Sequence, residues 1–272
     1  MNLTEKLQES RGRQKALLAT NFYNFETLKG IMEAAKETRL PIILQLTKSS
    51  IQYMGLQNAV ALARSAGEYY KVESWIHLDH GDSYELAEEC LKAGLDSVMI
   101  DASELSLEKN IEISRRVVKL AAGYGANVEA ELGYVAKLGQ STDKIGYTEP
   151  GDVDQFVSAT GVNALAIAIG TRHGYYKQKP KLDFDRLQRI GLISDACLVL
   201  HGGSGVPDDQ IKKAIELGVC KVNVATEIKN TFMQNIRKAI NLSDEIDLRI
   251  VFPPAIEMIK KLIISKLELV SM

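Results

Sequence analysis

Short apolar segments alternate with longer amphipathic segments along the whole of this chain. Eight of the apolar segments are nearly continuous in hydrophobic residues, which is typical of strands buried on both faces of a parallel sheet. They lie at Ala16–Phe22, Ile42–Thr47, Trp75–His80, Ser97–Ala102, Asn127–Leu132, Ala164–Ile169, Leu198–Gly202 and Lys221–Thr226. A strand followed by a helix, repeated eight times, predicts an α/β fold of the (β/α)8 TIM barrel type, with an open doubly wound sheet as the alternative.

The segments between the strands carry the spacing of amphipathic helices. In residues 207–218, apolar residues recur at intervals of three and four, with a proline near the start and a glycine at the end. A similar pattern covers residues 107–125, and a last helix near Pro254–Leu269 would close the chain. Two connections, Gly133–Gly151 and Thr171–Leu182, are long. Loops of this length in a compact domain are usually functional.

Length and composition narrow the choice of protein class. The chain has 272 residues, which suits one barrel domain spanning 1–272, because such barrels run to about 250 residues. Its net charge of −2 favours neither nucleic acid nor an anionic membrane as a partner. The first ten residues lack the apolar centre of a signal peptide, and no apolar run approaches the ~20 residues of a membrane span. The scattered Cys90, Cys197 and Cys220 favour a reducing, cytoplasmic setting.

Three of the four histidines lie at or just beyond the carboxyl end of a predicted strand. These are His80, His173 and His201, on three different strands. Barrel active sites are built at that face from residues of several strands. Three imidazoles that leave one position open are typical of a catalytic zinc site. His77 is interpreted as a packing or orienting residue.

Acidic residues accompany the histidines at the same face. Asp79 precedes His80, Asp101 closes the fourth strand, and Glu131 lies near the end of the fifth. Neighbouring residues leave a strand on opposite faces, so Asp79 and His80 reach one site only where the strand bends.

A glycine-rich turn, HGGSGVPDD, leads from the seventh strand into a helix, and KVNVATEIK forms a second entry of this kind after the eighth. Backbone N–H groups at helix N-termini favour phosphate, and barrels commonly hold phosphate after strands 7 and 8. With Arg172 and Lys177 on the sixth loop, these turns predict an anion pocket.

Six motifs in this order resemble the class II fructose/tagatose-bisphosphate aldolase family: HLDHG, SVMIDAS, VEAELG, IGTRHG, LVLHGGSG and KVNVATE. The resemblance runs from NFYNFET near the N-terminus to about residue 240. It implies a zinc-dependent barrel that forms homodimers or homotetramers. It also implies reversible cleavage of a ketose 1,6-bisphosphate into dihydroxyacetone phosphate and an aldehyde such as glyceraldehyde 3-phosphate.

Residue by residue, the resemblance implies that His80, His173 and His201 bind Zn²⁺. Asp79 would act as the acid/base at the C4 hydroxyl. Asp101 and Glu131 match acidic residues that contact a second or displaced metal position, for a further divalent or a monovalent cation. The residues that match the triose-phosphate pocket are Asn21, Thr47, Gly174, Lys177, Gly202, Gly203, Ser204, Asn223, Ala225 and Thr226, and Arg249 matches a second-phosphate ligand weakly.

The chain departs from the family pattern on the aldehyde side of the expected site. Many members carry a GGxED segment after ELG whose carboxylate moves protons at C3, whereas this chain reads YVAKLGQSTDKIGYTEP. Asp143 and Glu149 are the carboxylates left there, and Arg172 replaces a small residue. Fructose-type and tagatose-type substrates, and a different ketose phosphate, therefore stay open.

Other mechanisms and functions compete with zinc-dependent aldol cleavage. A Schiff-base mechanism needs a buried lysine near the carbonyl, but the sixth strand has none and Lys221 is predicted to start the eighth strand, at the other end of the barrel. A metal-dependent phosphosugar isomerase or epimerase would use similar residues. A non-catalytic sugar-phosphate binding protein is the third reading. In every case the expected partner is a small sugar phosphate.

Overall fold

The computed structural model describes residues 1–135, 146–174, 176 and 179–272. Eight parallel strands close into a barrel in chain order, and the last strand pairs with the first. The strands are β1 (Leu17–Asn21), β2 (Ile42–Thr47), β3 (Ser74–Gly81), β4 (Ser97–Ile100), β5 (Asn127–Leu132), β6 (Ala164–Ile167), β7 (Cys197–Leu200) and β8 (Val219–Val224). The predicted TIM barrel is confirmed, and the open sheet is wrong.

Helices follow the strands and cover the outside of the barrel. They are α1 (Leu3–Gly12), α2 (Phe25–Thr38), α3 (Lys48–Met54), α4 (Leu56–Tyr70), α5 (Tyr84–Lys92), α6 (Leu107–Ala122), α7 (Pro150–Thr160), α8 (Phe184–Ile193), α9 (Asp208–Glu216), α10 (Thr226–Leu242), α11 (Leu248–Val251) and α12 (Pro253–Ser271). The predicted helices over 107–125, over 207–218 and near the C-terminus correspond to α6, α9 and α12. None of the helices in the described part of the chain is long and apolar enough to cross a membrane.

The strand predictions hold to within two residues at each end. Every residue of β1, β5 and β8 is buried, as the continuous apolar segments predict. The eighth strand begins at Val219 rather than Lys221. Lys221 therefore lies within the strand, and the expectation that it starts the strand is wrong.

The sequence pattern did not predict α1, which closes the amino end of the barrel. Asn2 caps this helix and forms a capping box with Glu5. Leu3 and Leu7 pack in one cluster with inward-facing strand residues. The side chain of Thr4 accepts a hydrogen bond of 3.0 Å from Asn127, the first residue of β5. With this end closed, the carboxyl end is where ligands can enter.

Candidate active site and metal centre

An extra residue in β3 places Asp79 and His80 on the same side of the barrel. The pairing between β3 and β4 passes from Leu78 to Gly81 on one strand but only from Val98 to Ile100 on the other. Such a β-bulge bends the strand. His80 takes the left-handed conformation, with φ of 51°, which only a few per cent of non-glycine residues adopt. The backbone at His80 thus provides the strand bend that allows Asp79 and His80 to reach one site.

The three predicted histidine ligands meet at the carboxyl end of the barrel. The ring of His80 lies 4.8 Å from the rings of His173 and His201, centre to centre, and the latter two lie 5.8 Å apart. Nδ1 of His201 is 3.0 Å from Nε2 of His80. One nitrogen from each ring lies within 4.8 Å of the other two. This is a set of donors that one metal ion could join.

The outer nitrogens of two of these rings are held by carboxylates. Asp101 lies 2.8 Å from Nδ1 of His80, and Glu129 lies 2.8 Å from Nε2 of His201. A carboxylate behind a histidine is the usual arrangement around bound metal, because it fixes the ring and its tautomer. Nε2 of His173 is buried and has no hydrogen-bond partner among the described residues. A buried nitrogen without a hydrogen-bond partner is free to bind a metal ion.

Electrostatics at the cluster also fit a cation. Although burial lowers the pKa of His80, the carboxylates of Asp79, Asp101 and Glu131 raise it overall to about 9. Burial and the two neighbouring rings lower the pKa of His173 to about 3. The site thus favours positive charge at its centre while keeping a neutral imidazole available.

A second group of possible ligands overlaps the first. Oxygens of Asp101 and Glu131 and a nitrogen of His80 lie within 4.8 Å of one another. One oxygen of Glu131 accepts the backbone N–H of Val135 at 3.2 Å, while the other is buried without a hydrogen-bond partner in the part of the chain that the structure describes. Burial and the neighbouring Asp101 raise the pKa of Glu131. The two predicted acidic residues therefore lie beside the histidines and face one another.

Asp79 lies beside the histidines in a fixed orientation. Its Oδ2 accepts a hydrogen bond of 3.0 Å from the Asn21 side chain, and the Gln45 amide lies 3.4 Å from Oδ1. Burial opposes its ionisation, but the electrostatic influence of the neighbouring His80 and His201 outweighs it and lowers the pKa of Asp79 to about 2. Its carboxylate is therefore an available proton acceptor.

A cleft opens next to these groups. The residues that line it are Asn21, Asp79, His173, Gly174, Gly202, Ser204, Asn223, Ala225 and Thr226. All nine belong to the predicted site. Ser204 Oγ accepts the backbone N–H groups of Ala225 and Glu227, both at 3.3 Å, so the turn after β7 is fastened to the start of α10. The cleft thus combines a carboxylate, an imidazole and a helix N-terminus.

Comparison with known proteins agrees with this geometry. The family model described as fructose-bisphosphate aldolase class-II matches residues 1–272. The chain belongs to this family. It is therefore a class II aldolase, a carbon–carbon lyase.

Individual relatives match this aldolase over most of its length. A probable fructose-bisphosphate aldolase of Bacillus subtilis (strain 168) is 39% identical, over 98% of this chain and 96% of the relative. The D-tagatose-1,6-bisphosphate aldolase subunit GatY of Klebsiella oxytoca is 42% identical, over 82% of this chain and 80% of the relative. The crystal structure of the YdjI aldolase from Escherichia coli K12 superposes with a TM-score of 0.87 at 28% identity, covering 99% of this chain and 96% of that one.

Three other predicted residues do not line the cleft of the aldolase, and a fourth lies outside the described residues. Thr47 caps α3, where its hydroxyl accepts the Ser50 N–H. Gly203 packs against β8, and a Cβ there would lie 2.9 Å from the carbonyl oxygen of Asn223. Arg249 is exposed and paired with Asp247 at 2.7 Å. Lys177 lies outside the described residues.

The two loop carboxylates give different results. Asp143 lies outside the described residues. Glu149 precedes α7 and pairs with Arg186 of α8 at 3.1 Å, and its side chain is 65% exposed. This carboxylate is therefore turned toward α8.

Sequence reasoning missed several residues that shape the site. Tyr176 Oη donates to the carbonyl of Gly202 at 2.8 Å and accepts the N–H of Arg172 at 3.0 Å, so it fastens the sixth loop to the seventh turn. Glu129 and Lys221 lie in the barrel interior beneath His201. The motif VEAEL does carry a signal for Glu129, because residues two apart on a strand face the same side.

Proposed function

We propose that this class II aldolase is zinc-dependent and reversibly cleaves a ketose 1,6-bisphosphate of the fructose or tagatose type. The products are dihydroxyacetone phosphate and an aldehyde such as glyceraldehyde 3-phosphate. The observation that carries the proposal is a cluster of three imidazoles, one of which lines the same cleft as the ionised Asp79. Relatives named as fructose-bisphosphate and D-tagatose-1,6-bisphosphate aldolases support the substrate class.

In this proposal His80, His173 and His201 hold the zinc ion. When bound, the ion acts as a Lewis acid that stabilises negative charge developing at the substrate carbonyl. Asp101 and Glu131 lie close enough to His80 to hold a second divalent or a monovalent cation. The carboxylates behind His80 and His201 orient these rings.

Asp79 takes the proton of the C4 hydroxyl, and the C4 oxygen becomes the aldehyde carbonyl as the C3–C4 bond breaks. A proton donor must then supply a proton to C3 to complete dihydroxyacetone phosphate. The Asn21 amide holds one carboxylate oxygen at 3.0 Å, and the other has only a long contact of 3.4 Å with the Gln45 amide among the described residues, so it can still accept a proton. A general base must lie within hydrogen-bond reach of the proton it removes. The bulge at His80 gives Asp79 that position without displacing the neighbouring imidazole.

The phosphate of dihydroxyacetone phosphate binds where the turn after β7 meets the start of α10. Gly202, Ser204, Ala225 and Thr226 line this part of the cleft. The first N–H groups of a helix carry partial positive charge and lack partners within the helix. Such a helix start binds phosphate without needing a basic side chain.

The proposal includes self-association and a cytoplasmic location. Five large aliphatic residues between Ile240 and Ile250 are at least 58% exposed. An apolar surface of this kind commonly marks a protein interface. We take a second copy of the chain as its partner, in a homodimer or homotetramer.

The three cysteines are free and buried, which suits a reducing compartment.

Removal of metal tests the proposed chemistry. Purified enzyme treated with a chelator is expected to lose cleavage of fructose or tagatose 1,6-bisphosphate, and Zn²⁺ should restore it. Borohydride added with substrate should leave the protein unlabelled, since no lysine forms a Schiff base. Full activity in chelator, or a trapped lysine adduct, would contradict zinc-dependent cleavage.

Product analysis decides between this reaction and isomerisation. An aldolase releases a triose phosphate, whereas an isomerase or epimerase keeps all six carbons together. Condensation of dihydroxyacetone phosphate with a panel of phosphorylated and unphosphorylated aldehydes then identifies the substrate. The configuration of the product at C4 separates the fructose type from the tagatose type.

A further inference from the structure

A chain of polar side chains crosses the barrel interior beneath the proposed zinc site. Glu129 of β5, Lys221 of β8 and His77 of β3 are each at most 1% exposed. Lys221 Nζ lies 2.6 Å from Glu129 Oε2 and 3.4 Å from His77 Nε2. The other oxygen of Glu129 lies 2.8 Å from His201 Nε2. Through Glu129, the ion pair therefore contacts the proposed metal ligand His201 directly.

Below His77, toward the amino end of the barrel, two further polar residues, Ser97 and Asn127, fix the direction of each hydrogen bond. The Asn127 amide group donates to Thr4, so its oxygen accepts the hydroxyl proton of Ser97, at 3.0 Å. Ser97 has one proton, and its oxygen therefore accepts from His77 Nδ1 at 2.7 Å. Nε2 of His77 is left as an acceptor for Lys221.

Lys221 consequently has two acceptors in a place that excludes water. Burial and the nearby ammonium group of Lys221 lower the pKa of His77 to about 3, in agreement with a neutral ring. An ammonium group and a carboxylate lose their hydration when buried, and a pair of this kind is weak evidence for stability. The buried pair of Glu129 and Lys221 is therefore better explained by a role other than stability.

The contact with Glu129 determines which nitrogen of His201 carries the proton. Nε2 of His201 faces Glu129 at 2.8 Å and the side-chain amide of Asn223 at 3.1 Å. A carboxylate only accepts hydrogen bonds, and its contact is the shorter one, so this nitrogen carries the proton. In the neutral ring the opposite nitrogen, Nδ1, is then unprotonated, and it lies 3.0 Å from His80 Nε2. This is the nitrogen that the cluster of three imidazoles requires for a metal ion.

We infer that Glu129, held in place by Lys221, is a positioning residue that fixes His201 in the orientation and tautomer needed to bind zinc. The inference rests on the proposed zinc site but not on the identity of the sugar. Glu129 and Glu131 are two apart on β5 and both face the interior, one layer below the other. Glu131 lies beside His80 and Asp101, whereas Glu129 acts through His201.

Glu129→Gln separates this role from simple packing. The glutamine keeps the shape of the side chain but has one acceptor oxygen in place of two, so it cannot accept from both His201 and Lys221. We expect zinc affinity to fall by about 10–100-fold, the usual effect of losing a partner behind a metal-binding histidine. The measurement is zinc binding to the metal-free protein in competition with a chromogenic chelator.

Replacing both Glu129 and Lys221 by uncharged residues separates the effect on zinc affinity from the effect on stability. Lys221→Met alone leaves an unpaired buried carboxylate, and its melting temperature is expected to fall sharply. In Glu129→Met/Lys221→Met no charge is left unpaired and no acceptor for His201 remains at position 129, so the melting temperature should recover toward that of the wild type. Zinc affinity should nevertheless stay about 10–100-fold weaker. If Lys221→Met does not fold, Glu129→Gln and the double variant still decide the question.

Ser97→Ala is the matched control. It removes a buried hydrogen bond from the same chain without touching His201, and its zinc affinity should match the wild type. Wild-type zinc affinity in the double variant would overturn the inference, as would an equal loss in Ser97→Ala. The binding assay contains no substrate, so a failure of the proposed sugar specificity would appear only in the cleavage assay and not here.

Discussion

Asp79 and His80 are neighbours in the chain, yet the structure gives them different partners. Asp79 is held by Asn21 on one side, and His80 is held by Asp101 on the other. The carboxylate of Asp79 and Nε2 of His80 lie 4.0 Å apart, too far for a hydrogen bond. Different partners allow the two side chains to perform separate tasks, one on the substrate proton and one on the metal.

Asp79→Ala should therefore lose cleavage while keeping zinc. The expected loss is about 10²–10⁴-fold, the range for a positioned acid or base. Exchange of the C3 proton of bound dihydroxyacetone phosphate with solvent does not need the C4 hydroxyl, so it should persist. His80→Ala should lose both activities together with the metal. NMR exchange, a coupled cleavage assay and metal analysis make the measurement.

A different result would assign Asp79 another role. If Asp79→Ala lost its zinc along with exchange and cleavage, the carboxylate would serve mainly to orient the histidines. The pair of variants separates these cases because only one of them removes a proposed ligand.

Single residues of the cleft were predictable where a motif carried them. All nine residues around the cleft come from motifs at strand ends. Lys221 was misinterpreted because a charged residue at the edge of an apolar segment usually marks the strand's start. Lys221 is instead buried within the strand because it pairs with Glu129. The two residues are 92 positions apart, so their pairing leaves no local pattern in the sequence.

At the scale of elements, the bulge in β3 determines the geometry of the site. Gly81 follows the bulge, and a Cβ at this position would lie 2.5 Å from the backbone oxygen of Met99. The backbone of β3 therefore approaches β4 more closely than any side chain would permit. Close approach after the bulge holds the left-handed conformation of His80 in place.

Gly81→Ala is expected to destabilise the barrel by about 1–3 kcal/mol, because the backbone of β4 cannot move without losing its pairing. Zinc affinity should fall as well, since the strain falls on the residue next to His80. Urea unfolding and zinc titration measure the two effects. Gly12→Ala, where a Cβ meets nothing within 4 Å, is the control and should show no loss. Wild-type values for Gly81→Ala would mean that the bulge adapts freely.

Elements with strong periodicity were predictable, and those that depend on distant contacts were not. The eight strands carry continuous apolar segments, and all eight are present. The first helix was missed because its pattern is weakly amphipathic, with only Leu3, Leu7 and Ser10 buried. Its position is set by packing under the barrel and by the bond to Asn127. The sequence indicates that the strand must bend where Asp79 and His80 reach one site. It does not indicate that the bend is a β-bulge with His80 in the left-handed conformation.

For the molecule as a whole, closing the barrel brings distant parts of the chain into one site. Asn21 from β1 contacts Asp79 from β3, while Asn223 from β8 lies 3.1 Å from His201 after β7. The carboxyl ends of all strands meet at one face, so a short motif at each strand end is sufficient to build the cleft. The opposite end is closed by α1 and contributes the buried polar chain.

The outer surface of the molecule differs from this face, because it includes an extended apolar segment that is exposed. It is the aliphatic segment from the end of α10 through α11, in which Leu242 is 74% and Ile246 89% exposed. Leu192 and its neighbour Ile193 at the end of α8 are also exposed, at 80% and 41%, but a patch of two residues is ordinary on a protein surface. Five aliphatic residues within one short segment are not, and the proposed homo-oligomer would cover them.

Leu242→Glu/Ile246→Glu tests whether the aliphatic segment joins copies of the chain. Two carboxylates in an apolar interface would lose hydration without gaining partners, so the assembly should dissociate. Size-exclusion chromatography with light scattering should show a dimer or tetramer for the wild type and a single chain for the variant. Leu192→Glu adds a similar charge elsewhere and should keep the wild-type mass. A wild-type chain that runs alone, or a double variant that keeps its partners, would assign the segment another role.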